Sequence, residues 1–97
     1  MVRITSQDGK LRCAFEGSLN TTTCLELEKE LMGRIRAAKL PVVFDMQNVD
    51  FIASSFLRVC LIVLKEVGAN HFSIVNLQPS VQTVFKIAGL TDLIQGV

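Results

Sequence analysis

The hydrophobic positions of this chain change period several times, and each change marks an element. Residues 2–7 and 10–16 are extended runs flanking Asp8-Gly9. A two-residue Asp-Gly loop between such runs predicts a β-hairpin. In the second run Leu11, Cys13 and Phe15 alternate with Arg12, Ala14 and Glu16. That is the period of a half-buried strand. Gly17-Ser18-Leu19-Asn20 breaks the alternation, and Thr21-Thr22-Thr23 offers helix N-caps. From Cys24 the spacing becomes helical, through Leu27, Leu31, Ile35 and Ala38. One apolar stripe on a helix of about 16 residues follows. Lys39 suits the negative end of that helix and Pro41 stops it.

Residues 42–44 form a short continuous apolar run, expected for a central strand covered on both faces. Asp45 ends that run, Gln47-Asn48 breaks the extended chain, and Phe51-Ile52 resumes it. The helix expected from Ser54 to Val67 is apolar nearly all round, and Gly68 terminates it. Residues 71–77 read as a further strand. Pro79 opens a third helix carrying Val81, Val84, Phe85 and Ala88, and Gly89 closes it. Residues 91–94 suggest one last helical turn. The order β-β-α-β-α-β-α predicts an α/β domain spanning residues 1–97. The strands at 42–44 and 71–77 should be parallel with a right-handed crossover. A mixed sheet of four to five strands, with three to four helices packed against it, is the expected product.

Composition narrows the functional classes. The chain has 97 residues, 49% of them hydrophobic, which suits one globular core. Net charge is +1 without a basic run, so neither nucleic acid nor an anionic membrane surface is an expected partner. The most apolar stretch, residues 57–67, is too short to span a bilayer. Cys13, Cys24 and Cys60 are scattered and odd in number, which fits neither a disulfide framework nor a zinc site. Their apolar neighbours suggest buried thiols and a reducing, cytoplasmic setting. No Ser–His–Asp spacing, glycine-rich phosphate loop or metal cluster stands out, so neither an enzyme nor a cofactor is expected. His71, the one histidine, reads as structural or exposed.

The most informative residues are Ser54 and Ser55, at the start of the second helix. A serine there can cap the helix by accepting a hydrogen bond from a backbone N–H one turn in. It can also carry a phosphate, since a helix N-terminus favours negative charge. No Glu or Gln stands three residues after Ser54 to complete a capping box; Leu57 does.

The stretch Val42-Val43-Phe44-Asp45-Met46-Gln47-Asn48-Val49-Asp50-Phe51-Ile52-Ala53-Ser54-Ser55-Phe56-Leu57 resembles the central motif of STAS domains, the sulfate-transporter and anti-sigma-factor-antagonist family. Gly17-Ser18-Leu19-Asn20 is similar to the Gly-Glu-Leu-Asp that precedes the first helix of that family. Residues 79–90 are similar to its last core helix. The resemblance covers the chain in order and implies a STAS-like fold. It also implies partner switching: an antagonist binds an anti-sigma factor that is a serine kinase, frees the sigma factor, and is released once phosphorylated. A serine phosphatase would reverse the step. By position Ser54 is the implied acceptor, with Ser55 as the alternate. The implied partner surface comprises Gly17, Ser18, Leu19, Asn20, Asp45, Asp50, Ala53, Ser54, Ser55, Phe56 and Arg58, on a monomer or weak dimer. Three positions depart from the family pattern. Ala53 replaces an acidic residue, Asn20 stands where many antagonists carry Asp, and Phe56 replaces a glycine. Phe56 reads either as core or as a large exposed side chain where a partner or kinase would approach. Arg58 reads as solvated, or as a contact for a partner carboxylate or a phosphate. The departures also motivate an unphosphorylated STAS scaffold within another signalling or transport complex. A small-ligand domain is the remaining alternative.

Overall fold

The computed structural model describes residues 2–90. The final turn expected at 91–94 lies outside the described residues. Strands β1 (Val2–Gln7) and β2 (Lys10–Leu19) form the expected antiparallel hairpin. Asp8 and Gly9 both adopt positive φ, 55° and 74°. That is what a two-residue hairpin turn of matching twist demands, and Asp and Gly tolerate it. Helix α1 (Thr21–Ala38) follows, then β3 (Val42–Ile52), α2 (Ser54–Val67), a 3₁₀ turn (Ala69–His71), β4 (Phe72–Val75) and α3 (Pro79–Ile87). The sheet order is β1-β2-β3-β4, with β2, β3 and β4 parallel. Among the described residues the sheet has four strands and the α-helices number three.

β3 departs from the pattern expected of it. It runs on for 11 residues instead of ending at Asp45. Its register against β2 slips twice: Ala14 pairs with Asp45 but Glu16 with Asn48, and Gly17 pairs with Val49 but Ser18 with Phe51. Each slip places one extra β3 residue against the ladder, which is a β-bulge. A bulge inverts the alternation of faces. The buried residues of β3 are accordingly Val42, Val43, Phe44, Met46, Val49 and Ile52. Steps of two become steps of three at each bulge, so the core face stays apolar while Gln47, Asn48, Asp50 and Phe51 all face out. Polar residues in the pattern thus mark bulges, not a strand end. Beyond Asp45 the outer edge of β3 has no strand beside it among the described residues, and the Gln78 side chain at the start of α3 donates to the Gln47 carbonyl there (3.2 Å).

One face of the sheet carries the core. Leu11, Cys13 and Phe15 of β2, Phe44 and Met46 of β3, and Phe72 and Ile74 of β4 pack in one cluster. The stripe of α1 (Cys24, Leu27, Leu31, Ile35), Phe56, Val59, Cys60 and Val63 of α2, and Val81 and Phe85 of α3 complete it. The expectation that α2 is covered on both flanks gives way to an ordinary one-sided helix, with Leu61 43% exposed. The opposite face of the sheet is polar, with Arg12 bonded to Asp45 across β2 and β3 at 2.8 Å. A sheet with one solvated face is the common outcome when strands alternate in polarity.

Candidate partner-binding site

The carboxyl ends of β2 and β3 bring the two motif segments together. Leu19 pairs with Ile52, and the Ala53 N–H donates to the Leu19 carbonyl at 2.9 Å. Ser18 Oγ donates to Asp50 Oδ1 at 3.2 Å. Segments separated by 32 residues in sequence are therefore one surface. Gly17, with φ 81°, turns the chain in a conformation that other residues adopt at a cost. Asn20 accepts from the Thr23 N–H at 2.9 Å and caps α1. The cap is thus Asn20, not one of the threonines, and its residue type explains why an Asn serves where the family often carries Asp.

Ser54 does not cap α2. The N-cap is Ala53, in extended conformation and without a side-chain hydrogen bond. Ser54 is the first helical residue and is exposed, while Phe56 N–H reaches back to the Ala53 carbonyl at 3.0 Å. The capping role expected of Ser54 is therefore corrected: it is an exposed residue at a helix end that no side chain caps. Ser55 differs. Its Oγ is buried and has no hydrogen-bond partner among the described residues. The two adjacent hydroxyls are thus sorted by access.

Phe56 is fully buried, with its ring centroid 5.3 Å from Phe15 in an edge-on arrangement and 5.9 Å from Phe44. It belongs to the aromatic core and not to the partner surface. The side chain that replaces a family glycine points inward, so it places no bulk beside Ser54. Leu19 is likewise buried and contributes only backbone to the surface. Asp45 is the third correction. It sits on the solvated sheet face, bonded to Arg12, to the Gln47 N–H and to the Asn76 side chain. At about 3.3 Å per strand residue it lies roughly 20 Å along β3 from the Ser54 end. Burial pushes its carboxyl up, but the Gln47 N–H, the Asn76 amide and the Arg12 guanidinium outweigh that and hold it below the usual carboxylate range. Its cluster ties the sheet together and is separate from the Ser54 surface.

Arg58 is exposed and donates to Glu28 Oε1 on α1 at 2.8 Å. Arg36 and Glu66 make a matching pair at 2.9 Å, eight residues further along both helices. Equal spacing means that α1 and α2 run parallel. One turn before the Glu28–Arg58 pair therefore stand Leu25 on α1 and Ser54 on α2. Leu25 is 61% exposed and Phe51 at the end of β3 is 52% exposed. Leu25, Glu28 and Phe51 are members of this surface that sequence reasoning missed. Leu25 was detectable, because it falls off the apolar stripe of α1. Phe51 was not, because its direction depends on two bulges. A groove of about 500 Å³ lies at the other end of the helices, lined in part by Ile35, Lys39, Leu40, Pro41 and His71, and holds none of the motif residues.

The geometry defines a small α/β domain that presents an exposed serine, a glycine loop and scattered apolar side chains on one end of its sheet. The STAS domain family model matches residues 2–97, so the chain belongs to the STAS domain family. A relative from Bordetella bronchiseptica, named "Putative anti-sigma factor antagonist BtrV", is 33% identical over 88 residues, covering 89% of this chain and 76% of that protein. The fold matches an anti-sigma factor antagonist from Mycobacterium paratuberculosis with a TM-score of 0.87, at 21% identity, over 100% of this chain and 86% of that one. It matches the anti-sigma factor antagonist SpoIIAA in its unphosphorylated form with a TM-score of 0.83, at 16% identity, over 98% and 86% of the two chains. The Bacillus cell fate determinant SpoIIAA in its phosphorylated form gives 0.73, at 15% identity, over 98% and 89%.

Proposed function

We propose that this chain is an anti-sigma factor antagonist, a cytoplasmic binding module that performs no catalysis of its own. In its unmodified state it binds an anti-sigma factor through the Gly17–Asn20 loop, Asp50, Phe51 and the start of α2, and so frees the sigma factor. The anti-sigma factor is also the kinase. It transfers the γ-phosphoryl group of a nucleoside triphosphate to Ser54: the Oγ–P bond forms, the bond from phosphorus to the β–γ bridging oxygen breaks, and the hydroxyl proton passes to the kinase's base. A serine phosphatase resets the switch by hydrolysis.

The observation that carries this reading is the access of Ser54 beside a buried Ser55, on a helix end with no side-chain cap. A phosphate there adds about −1.5 to −2 charges, which the helix N-terminus tolerates, so the domain stays folded. The cost falls on the interface. A hundredfold loss of affinity needs only about 2.7 kcal/mol, within reach of a dianion facing apolar or acidic partner groups. The inward Phe56 supports the reading over an unphosphorylated scaffold, because the surface around Ser54 is open to a kinase. Intact-mass measurement on protein from its native cell tests it. A species heavier by about 80 Da, the mass of one phosphoryl group, is expected, lost in Ser54→Ala and kept in Ser55→Ala. An unmodified mass under every growth condition, or failure of the chain to retain any kinase-type anti-sigma factor in a pull-down, overturns it.

A further inference from the structure

Arg58 stands four residues after Ser54, so the two side chains share a face of α2 about one turn apart. It is the one cation in the first three turns of that helix. Among the described residues its guanidinium is held by Glu28 of α1 alone, through one hydrogen bond of 2.8 Å, and the Arg58 side chain is 56% exposed. An exposed pair of that kind is weak. A phosphate on Ser54 would be a stronger acceptor: it carries nearly twice the charge of a carboxylate and offers three oxygens to a forked donor. It would also lie on the same helix as Arg58.

We propose that Arg58 reads the phosphorylation state of Ser54 by exchanging partners. In the unmodified protein it bridges α2 to α1 through Glu28. Once Ser54 is phosphorylated, by the nucleoside-triphosphate-dependent transfer described above, the guanidinium turns back one helical turn onto the phosphate. Glu28 is then left as an unpaired carboxylate at the partner surface, one turn from exposed Leu25. The modification thus changes the surface at two places, with a new anion on α2 and a released one on α1. Leu27, Leu31 and Ile35 of α1 share one buried core with Val59, Cys60 and Val63 of α2, and that packing keeps the helices together during the exchange. This inference rests on the reading of Ser54 as the acceptor.

The test uses full-length protein with phosphoserine placed at position 54 during translation, so that no kinase is needed. Phosphorus NMR follows the second ionisation of the phosphate in the otherwise unaltered chain, in Arg58→Gln and in Arg58→Lys. Pairing with Arg58 stabilises the dianion, so at pH near 6 its ratio to the monoanion should exceed that in Arg58→Gln by at least about twofold, with partial recovery in Arg58→Lys. The Arg58 Nε–H resonance should move on phosphorylation, and Glu28→Gln should leave the phosphate effect in place. Equal ionisation in the unaltered and Arg58→Gln chains, or an unmoved Arg58 resonance, overturns the exchange. Absence of the phosphorylated species in the native cell would instead sink the proposed switch while leaving the NMR result intact.

Discussion

Phe56 shows how one residue can look wrong at a site and still be sound. It occupies a position where the family carries glycine, yet its ring fills the space between Phe15 and Phe44. Truncating a buried phenylalanine costs the transfer energy of the ring and the cavity it leaves, about 3–5 kcal/mol. Phe56→Ala should lose that much in a urea titration, and Phe56→Gly about 1 kcal/mol more through helix propensity. A loss under about 1 kcal/mol would show that the ring is not core. Asp45 gives a pH-dependent prediction. Its folded pKa is lowered, so its stabilising contribution is present above the unfolded value of about 3.9 and is lost as pH falls through the folded one. Stability of the native chain should therefore drop more steeply below about pH 4 than stability of Asp45→Asn, measured by denaturation midpoints across that range. Parallel curves would remove Asp45 from the account. Neither role was legible beforehand. Periodicity offered Phe56 two directions, and the side-chain partners of Asp45 lie 31 and 33 residues away.

Elements differ in how much of their geometry is local. The ends of α1 and α2 form a natural contrast, one capped by Asn20 and the other uncapped at Ala53. Asn20→Ala should cost about 1 kcal/mol. Ser54→Ala should change stability by less than about 0.5 kcal/mol, because no cap is lost. Ala53→Asp should add about 1 kcal/mol by supplying the missing acceptor. Thermal denaturation of the three variants checks the ordering, and a large loss in Ser54→Ala would restore it as the cap. The hairpin, the α1 stripe and the start of α3 were readable because each needs only neighbours in sequence. β3 was not, because a bulge is a relation between two strands. Met46, Val49 and Ile52 at steps of three carry the signal, but read alone they suggest a turn.

At the scale of the molecule, one apolar layer between the sheet and three helices sets the reactivity of the thiols. All three cysteines are buried in it. Burial pushes the Cys13 thiol up to about 12, and Cys60 well above its ordinary value, so neither forms thiolate near neutrality. The folded protein at pH 8 should resist a thiol-reactive dye, and unfolding in guanidinium should release three reactive groups. Fast labelling of the native state would contradict the packing. The sequence by itself determined the element order, the hairpin turn, the apolar stripe of α1 and a family motif in the right sequence of parts. Those properties follow from backbone preferences and from periodicity within single elements. Tertiary structure alone decided that Ser54 is open while Ser55 is closed, that Phe56 points inward, that Asp45 lies far from Ser54, and that Arg58 meets Glu28. Each of these depends on how different elements of the chain pack together, and no pattern within one element carries that information.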